Sequence, residues 1–421
     1  MAERFLELHP VLQALIRVLL FVLPTLLLVP FTIWWERRLL SWMQDRFGPN
    51  RVGPFGLLQP FLDGAKLMFK EDITPGSVDR LIYFLAPGLA LFPAFTLGGT
   101  IPWGPYRSLT PVADIDIGVL YIMAISSLGV YGLVLAGYSA NNKYSLMGGL
   151  RASAQLISYE LAMGMSLACI VTATGSLKLT SIVDAQTKGL WGYDTILANW
   201  NLLTPYGIIA AIVFFICMVA ETNRAPFDLP EAENELVAGY HTEYSSFKFA
   251  AFFMGEYAAM IVWSMIFSTL FLGGYHALPL RFVEGSTGAF LNGESWLGPF
   301  YLIGKVAILL STYIWLRATL PRLRYDQLMS LGWKSLLPMA TLNLILVATW
   351  IFFTRTQNPL MGWLAWLGGA VLFVLIYRSI SQLGEKPKDR KRGEGRSVVL
   401  VNDAALAPDG DSGTSVVVPA A

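Results

Sequence analysis

Residues 12–38 read LQALIRVLLFVLPTLLLVPFTIWWERR, an apolar run that ends in two tryptophans and three charged side chains. A bilayer crossing needs about 20 apolar residues, and tryptophan followed by arginine is typical of the level where a spanning helix meets water. The run is too long for a signal-peptide core and has no small-residue cleavage site. We therefore expect it to remain as the first transmembrane helix, over 12–35.

The rest of the chain has the same character. Of its 421 residues, 55% are hydrophobic and 14% charged, whereas roughly a quarter of a soluble domain is charged. This excludes a soluble globular enzyme and predicts an all-α polytopic membrane protein with about nine transmembrane helices. Runs of spanning length lie at 12–35, 81–103, 117–138, 155–177, 202–220, 249–272, 297–320, 333–353 and 361–381.

Positive charge predicts the orientation of these helices. Of the 30 Lys and Arg residues, 22 lie on one side, which places the N-terminus outside and the C-terminus in the cytoplasm. We expect an integral membrane domain over 1–381 and a disordered basic cytoplasmic tail over 382–421. A net charge of +1 does not point to nucleic acid as a partner. The scattered cysteines and histidines predict no metal or haem site.

The first cytoplasmic loop, 36–77, contains a second kind of helix. Its apolar residues recur at helical spacing, with polar residues opposite, which predicts an amphipathic helix along the membrane surface. Beside a pair of arginines, this helix could line a cavity for a long apolar molecule with a polar head, such as a quinone. It could equally seal the bundle while the arginines bind lipid headgroups. The apolar face consists of Leu58, Phe61, Leu62, Ala65, Met68 and Phe69.

The loop over 221–248 is acidic, with six acids and two bases, although the other loops on that side are basic. Two further acids, Glu160 and Glu256, lie inside apolar runs, where a charge is costly and usually faces a bundle interior. Such acids could exchange protons near neutral pH and form a proton wire. Each one alone could also be a buried acid satisfied by a neighbouring hydroxyl or guanidinium. As a group, they favour a function.

Lys305 lies in a run, 298–306, that loosely imitates a phosphate-binding loop. Five residues separate the glycines where the motif has four, and Val306 stands where Ser or Thr should bind magnesium. We expect Lys305 to pair with a buried acid or to extend towards the membrane surface. No nucleotide motif is present, so any uphill ion movement must be driven by another protein.

Several ordered motifs closely resemble the H-subunit family of the proton-pumping NADH:quinone oxidoreductase, respiratory complex I. These are ERR at 36–38, QDRFGPN at 44–50, LQP at 58–60, DGAKL at 63–67, ETNRAPFDL at 221–229, EY at 243–244 and RLRYDQL at 322–328. The resemblance spans residues 12 to 355. It implies a membrane subunit in a bacterial inner membrane, at the junction of the electron-transfer arm and the antiporter-like membrane arm, which closes the quinone chamber from below.

The resemblance also implies roles for individual residues. The quinone path would comprise Trp34, Glu36, Arg37, Arg46, Phe61, Asp63 and Phe69. The proton and coupling path would comprise Glu160, Glu221, Arg224, Asp228, Glu231, Glu233, Glu243 and Glu256. Ubiquinone or menaquinone would be the substrate. The iron-sulfur clusters and FMN would belong to partner subunits, and this chain alone would hold no complete active site or redox centre. Its partners would be quinone-site and iron-sulfur subunits, small and antiporter-like membrane subunits, and lipids.

Two other interpretations stay open at this stage. A membrane-bound hydrogenase has a similar ion-translocating subunit, and a self-sufficient cation transporter could also hold intramembrane acids. Transporters often contain inverted repeats, and the halves of this sequence show no repetition. The chain departs from the common eight-helix pattern of the resembled family by its ninth helix and its tail.

Overall fold

The computed structural model describes residues 9–105, 110–189, 197–228, 238–279, 297–355, 364 and 366–371. Within these ranges the regular structure is helical, apart from one isolated bridge between Gly189 and Ala198. Helices α1 to α11 cover, in chain order, Pro10–Met43, Gln59–Phe69, Arg80–Gly98, Gly118–Ser139, Lys143–Thr174, Leu179–Gln186, Pro205–Glu221, Ser246–Phe271, Gly298–Thr319, Tyr325–Ser330 and Leu337–Arg355. A π-helical turn over Leu331–Leu336 joins the last two.

Among the described residues, seven helical segments are long and apolar enough to cross a membrane, α10 and α11 counting as one. An eighth, α7, is apolar but has only 17 residues. The all-α polytopic prediction is therefore confirmed. The ninth predicted span, 361–381, lies largely outside the described residues, and the predicted tail lies wholly outside them.

Helix α1 is longer than the apolar run predicted, because it continues from 35 to Met43. The first helix-breaking residues after it, Gly48 and Pro49, lie beyond this point. Glu36 and Arg37 are therefore consecutive helical residues. The predicted boundary at 35 had placed both in the first cytoplasmic loop. Because an α-helix has 3.6 residues per turn, their side chains point in directions about 100° apart.

The amphipathic helix is present as α2. Part of its apolar face points away from the bundle of this chain. Leu62, Met68 and Phe69 are 46%, 67% and 91% exposed. The chain therefore presents this face outward.

Helices α3, α4 and α5 pack through small residues, as is common in membranes. A Cβ added at Gly132 of α4 would meet Ala90 N of α3 at 2.6 Å, and one at Gly137 of α4 would meet Ser145 O of α5 at 2.7 Å. Helix α5 begins at 143, twelve residues before the predicted start. Glu160 consequently lies near the middle of this helix and not about six residues into it.

Candidate functional site

Arg37 and Arg46 border one cavity, and Asp63 binds Arg37 beside it. Arg37, on the last turns of α1, and Arg46, in the loop that follows, both line a space of about 500 Å³. Arg37 Nη1 donates a hydrogen bond to Asp63 Oδ2 of α2 at 2.6 Å. The two side chains are 48% and 29% exposed. Two guanidinium groups beside a cavity can donate hydrogen bonds to oxygens of a ligand head group.

The aromatic residues predicted for the quinone path occupy different places. Trp34 Nε1 donates to the carbonyl of Phe55 at 3.1 Å. Phe61 packs edge-on against Phe31 of α1, with ring centroids 6.3 Å apart. Phe69 lies at the opposite end of α2 from this contact. Trp34 is therefore part of α1 and Phe61 packs against α1, whereas Phe69 lies at the exposed end of the surface helix.

Glu36 points into the bundle, where the residue is 4% exposed. Tyr257 OH of α8 donates to Glu36 Oε2 at 2.6 Å. Arg317 of α9 donates to Glu36 Oε1, and Arg224 Nη1 lies 3.5 Å from the same oxygen. The resemblance implied a quinone-path role for Glu36 and a coupling role for Arg224. The structure brings the two into one ion cluster.

Arg224 carries a buried positive charge in this cluster. Its guanidinium lies 4.3 Å from the centroid of the Tyr257 ring. Burial by itself lowers the pKa of Arg224, but Tyr257, Glu36 and Glu256 outweigh burial and raise that pKa, so the side chain stays charged. Among the described residues, Arg224 Nε and Nη2 find no hydrogen-bond acceptor. Buried donors of this kind usually bind water or a ligand oxygen.

Glu221 and Glu256 line a second, internal cavity of about 80 Å³. Ser126 and Tyr240 also line it and donate to Glu160 and Glu256, at 3.2 and 3.4 Å. Glu221 interacts electrostatically with Glu160, and its Oε2 is buried without a hydrogen-bond partner in the described part of the chain. One water occupies about 10–15 Å³ on this measure, so the cavity has room for several.

The loop after α7 is held by Gln155 of α5. Gln155 Nε2 donates to the carbonyls of Ala220 and Phe227, both at 2.9 Å. Asp228, in the same loop, is bound by Arg322 Nη2 at 2.8 Å. These contacts fix the part of the acidic loop that carries Arg224.

Glu243 lies in a different place from the acids of the internal cavity. Its Oε1 accepts a hydrogen bond from Asn142 Nδ2, in the connection between α4 and α5, at 2.8 Å. Glu231 and Glu233, which the resemblance assigned to the coupling path, lie outside the described residues.

Within the described part of the chain, Lys305 binds backbone carbonyls and no acid, so the expected acidic partner is not found there. Its Nζ donates instead to the carbonyls of Leu272, Gly274 and His276 and lies 4.3 Å from the Trp200 ring centroid. These carbonyls follow the end of α8, where backbone acceptors lack partners within the helix and the helix dipole favours a cation.

Three residues of the site were not predicted: Tyr257, Arg317 and Gln155. Arg317 stands near the end of an apolar run, where an arginine is read as an orientation signal. Tyr257 and Gln155 are polar residues inside apolar runs, and that signal could have identified them. Their partners, however, are too distant in sequence for any local pattern to reveal.

Comparison with known proteins identifies the family. A family model described as NADH dehydrogenase matches residues 16–348. The H subunit of NADH-quinone oxidoreductase from Ralstonia pickettii is 47% identical over 347 residues, which cover 81% of this chain and 93% of the relative. The H subunit from Rickettsia prowazekii is 46% identical over 358 residues, covering 84% and 98%. The second H subunit from Koribacter versatilis is 45% identical over 358 residues, covering 81% and 97%. The chain therefore belongs to the NADH dehydrogenase family, together with the H subunits of NADH-quinone oxidoreductase.

Proposed function

We propose that this chain is a membrane subunit of a proton-translocating NADH-quinone oxidoreductase, respiratory complex I. It forms the membrane side of the quinone chamber and an acidic path that couples quinone reduction to proton translocation. One observation carries the proposal. The neighbouring residues Arg37 and Glu36 face a cavity and a buried ion cluster, respectively, so a single helical step separates the quinone side from the coupling side.

The quinone side combines cations with apolar surface. Arg37 and Arg46 can donate to the carbonyl oxygens of a quinone head, and Asp63 orients Arg37 through its charged hydrogen bond. The outward apolar face of α2, beginning at Phe61, offers a surface for the isoprenoid tail. A ligand with a polar head and a long apolar tail matches this arrangement.

The coupling side acts through charge. Reduction of a quinone takes up two electrons and two protons, and the anionic intermediates draw on nearby cations. Negative charge near Arg37 repels the neighbouring Glu36 carboxylate and so destabilises the ionised form of that side chain. Arg224 interacts with Glu256 as well as Glu36. The ion pair between Glu36 and Arg224 is therefore weaker, and Arg224 shifts towards Glu256. The positive charge of Arg224 then favours release of a proton from the Glu256 carboxyl into the internal cavity.

The remaining parts of the reaction belong to partner subunits. Those subunits would supply the FMN, the iron-sulfur clusters that deliver electrons to ubiquinone or menaquinone, and the antiporter-like proton paths. The chain would lie in a bacterial inner membrane with its N-terminus outside and its C-terminus in the cytoplasm, which is supported by the positions of 22 of its 30 Lys and Arg residues.

Photoaffinity labelling tests the quinone side. Membranes that contain the complete complex are irradiated with an azido-quinone, and labelled peptides of this chain are mapped. We expect label within 34–70 that excess unlabelled quinone removes. Asp63→Asn should weaken this label, whereas Glu71→Gln, which changes an exposed acid after the end of α2, should not. Strong label in partner subunits with none in this chain would overturn the quinone-chamber role.

Proton pumping tests the coupling side. Glu221→Gln removes a proton carrier from the internal cavity and keeps its size. We expect lower NADH:quinone turnover and less proton transfer in proteoliposomes, with NADH oxidation by an artificial acceptor unchanged. Glu71→Gln is the control, because Glu71 is an exposed acid outside the cavity. Unchanged pumping in Glu221→Gln would remove Glu221 from the path.

A further inference from the structure

The C-terminal end of α2 is tied to the start of α8 by three side chains, which we call the Ser-Ser-Lys clamp: Ser245, Ser246 and Lys248. Ser246 Oγ lies 2.9 Å from the carbonyls of both Leu67 and Lys70. The last carbonyls of a helix have no partner within it, so one hydroxyl from α8 serves as an external cap for α2.

The other two clamp residues hold the chain that follows α2. Ser245 Oγ accepts from the amide of Ile73 and donates to its carbonyl, both at 3.0 Å. A serine at the start of a helix usually caps that helix, but the side chain of Ser245 makes no capping bond to α8. Lys248 Nζ lies 3.0 Å from Asp72 Oδ1 and 3.1 Å from Thr74 Oγ1.

The clamp holds its own backbone in an unfavourable conformation. Ser246 has φ +54°, a left-handed value that side chains other than Asn and Asp rarely adopt. Such conformations persist where surrounding contacts fix them, and they cluster at functional and switch regions. Ser246 is 4% exposed, so water does not replace its two carbonyl contacts.

The clamp lies next in sequence to a residue of the proposed coupling path. Glu243 lies two residues before Ser245, and its backbone carbonyl accepts from Tyr83 OH at 2.8 Å while its carboxylate is held by Asn142. A displacement of α2 must therefore either break the clamp or move the segment that carries Glu243 and the first turn of α8. Glu256 follows on the same helix, ten residues after Ser246.

We propose that the Ser-Ser-Lys clamp is a positioning device that transmits movement of the quinone-side helix α2 to the coupling acids Glu243 and Glu256. The inference rests on the proposed function and adds a mechanical connection to the electrostatic one at Glu36. Its residues are positioning residues, because they contact α2 and the following chain and touch neither quinone nor the transferred protons.

Ser246→Gly in the complete complex is the decisive variant. Glycine adopts a positive φ without strain, so the change removes the hydroxyl while it relaxes the backbone. Asn141→Gly is the matched control, because Asn141 is exposed and also has a positive φ, +47°, but lies outside the clamp. Ser246→Ala removes the same hydroxyl and keeps the strain.

The measurement is the number of protons pumped per NADH oxidised in proteoliposomes, with azido-quinone labelling of 34–70 in the same preparations. We expect Ser246→Gly and Ser246→Ala to lower the proton ratio at least twofold, with labelling retained and Asn141→Gly unchanged. A wild-type proton ratio in Ser246→Gly would overturn the clamp. Absence of azido-quinone label within 34–70 of the wild-type complex would instead overturn the proposed function.

A second variant covers failure of assembly. If Ser246→Gly does not assemble, Ser245→Ala is measured in the same way, since it removes one partly exposed hydroxyl that binds the backbone of Ile73. A twofold lower proton ratio supports the clamp, and a wild-type ratio in the assembled complex refutes it.

Discussion

The ion cluster around Glu36 predicts a specific pattern of instability. Glu36→Gln leaves Arg224 buried without the carboxylate with which it forms an ion pair. At 3.5 Å, two unit charges interact by about 5 kcal/mol for an effective dielectric constant of about 20. Breaking a buried pair by removing one partner typically destabilises by about 3–5 kcal/mol. This is a large fraction of the stability of a folded domain, about 5–15 kcal/mol, so we expect much less assembled complex.

Two comparison variants separate a buried charge from a general packing defect. Arg317 also binds Glu36, but its side chain is 43% exposed, so Arg317→Gln should destabilise by about 1 kcal/mol or less, as for surface pairs. In the double variant Glu36→Gln with Arg224→Gln, the buried Arg224 charge is removed together with the Glu36 carboxylate that compensates it. That double variant should assemble better than Glu36→Gln alone.

The assay is the amount of complex in membranes, measured by native electrophoresis with staining for NADH oxidation, together with the temperature at which half of it is lost. The expected order of assembly is wild type, Arg317→Gln, the double variant and Glu36→Gln. Two results would refute the explanation. Arg317→Gln could be as damaging as Glu36→Gln, or the double variant could assemble no better than Glu36→Gln.

Three further predictions concern other parts of the structure. Asp63→Asn should raise the KM for quinone while the complex assembles normally, because the exposed Arg37 pair stabilises by at most about 1 kcal/mol; a normal KM would exclude an orienting role. Lys305→Met should lower the temperature of half-loss, since three carbonyls lose their donor, and unchanged stability would contradict this. Gln155→Leu should reduce the amount of assembled complex on native electrophoresis, because two buried carbonyls lose their amide donor; normal assembly would show that this donor does not hold the loop.

Sequence patterns predicted the membrane helices because hydrophobicity is a local property. The ends of the helices were predicted less well. Helix α5 starts at 143, in a stretch that contains Lys143 and Arg151, since a helix that leaves the apolar layer no longer needs apolar residues on all sides. Helix α1 extends past 35 for the same reason. This extension decides the site, because it makes Glu36 and Arg37 neighbours on one helix.

The site itself could be predicted only in part. The resemblance supplied Arg37, Asp63 and Arg224, but the grouping of these residues depends on contacts between distant segments. Glu36 and Arg317 are 281 positions apart, and no periodicity connects such positions. Lys305 shows a second limit of sequence patterns. A lysine inside an apolar run favoured an acidic partner, whereas its described partners are three backbone carbonyls that follow α8.

The distance between a quinone charge and Glu36 also limits the free energy that their electrostatic interaction can supply. Glu36 and Arg37 point about 100° apart on a helix that is about 10–12 Å wide with its side chains, so we take a quinone charge beyond the Arg37 guanidinium to lie on the order of 10 Å from the Glu36 carboxylate. For an effective dielectric constant of about 20, the interaction is about 1.7 kcal/mol, or about a twentyfold shift in an ion-pair equilibrium. This is enough to redistribute Arg224 between Glu36 and Glu256. It falls below the roughly 2.3 kcal/mol that opposes each charge moved against 100 mV. Electrostatics at Glu36 can therefore trigger proton transfer but cannot drive it alone, and a mechanical contribution such as the Ser-Ser-Lys clamp, or further charge movements in partner subunits, must supply the difference.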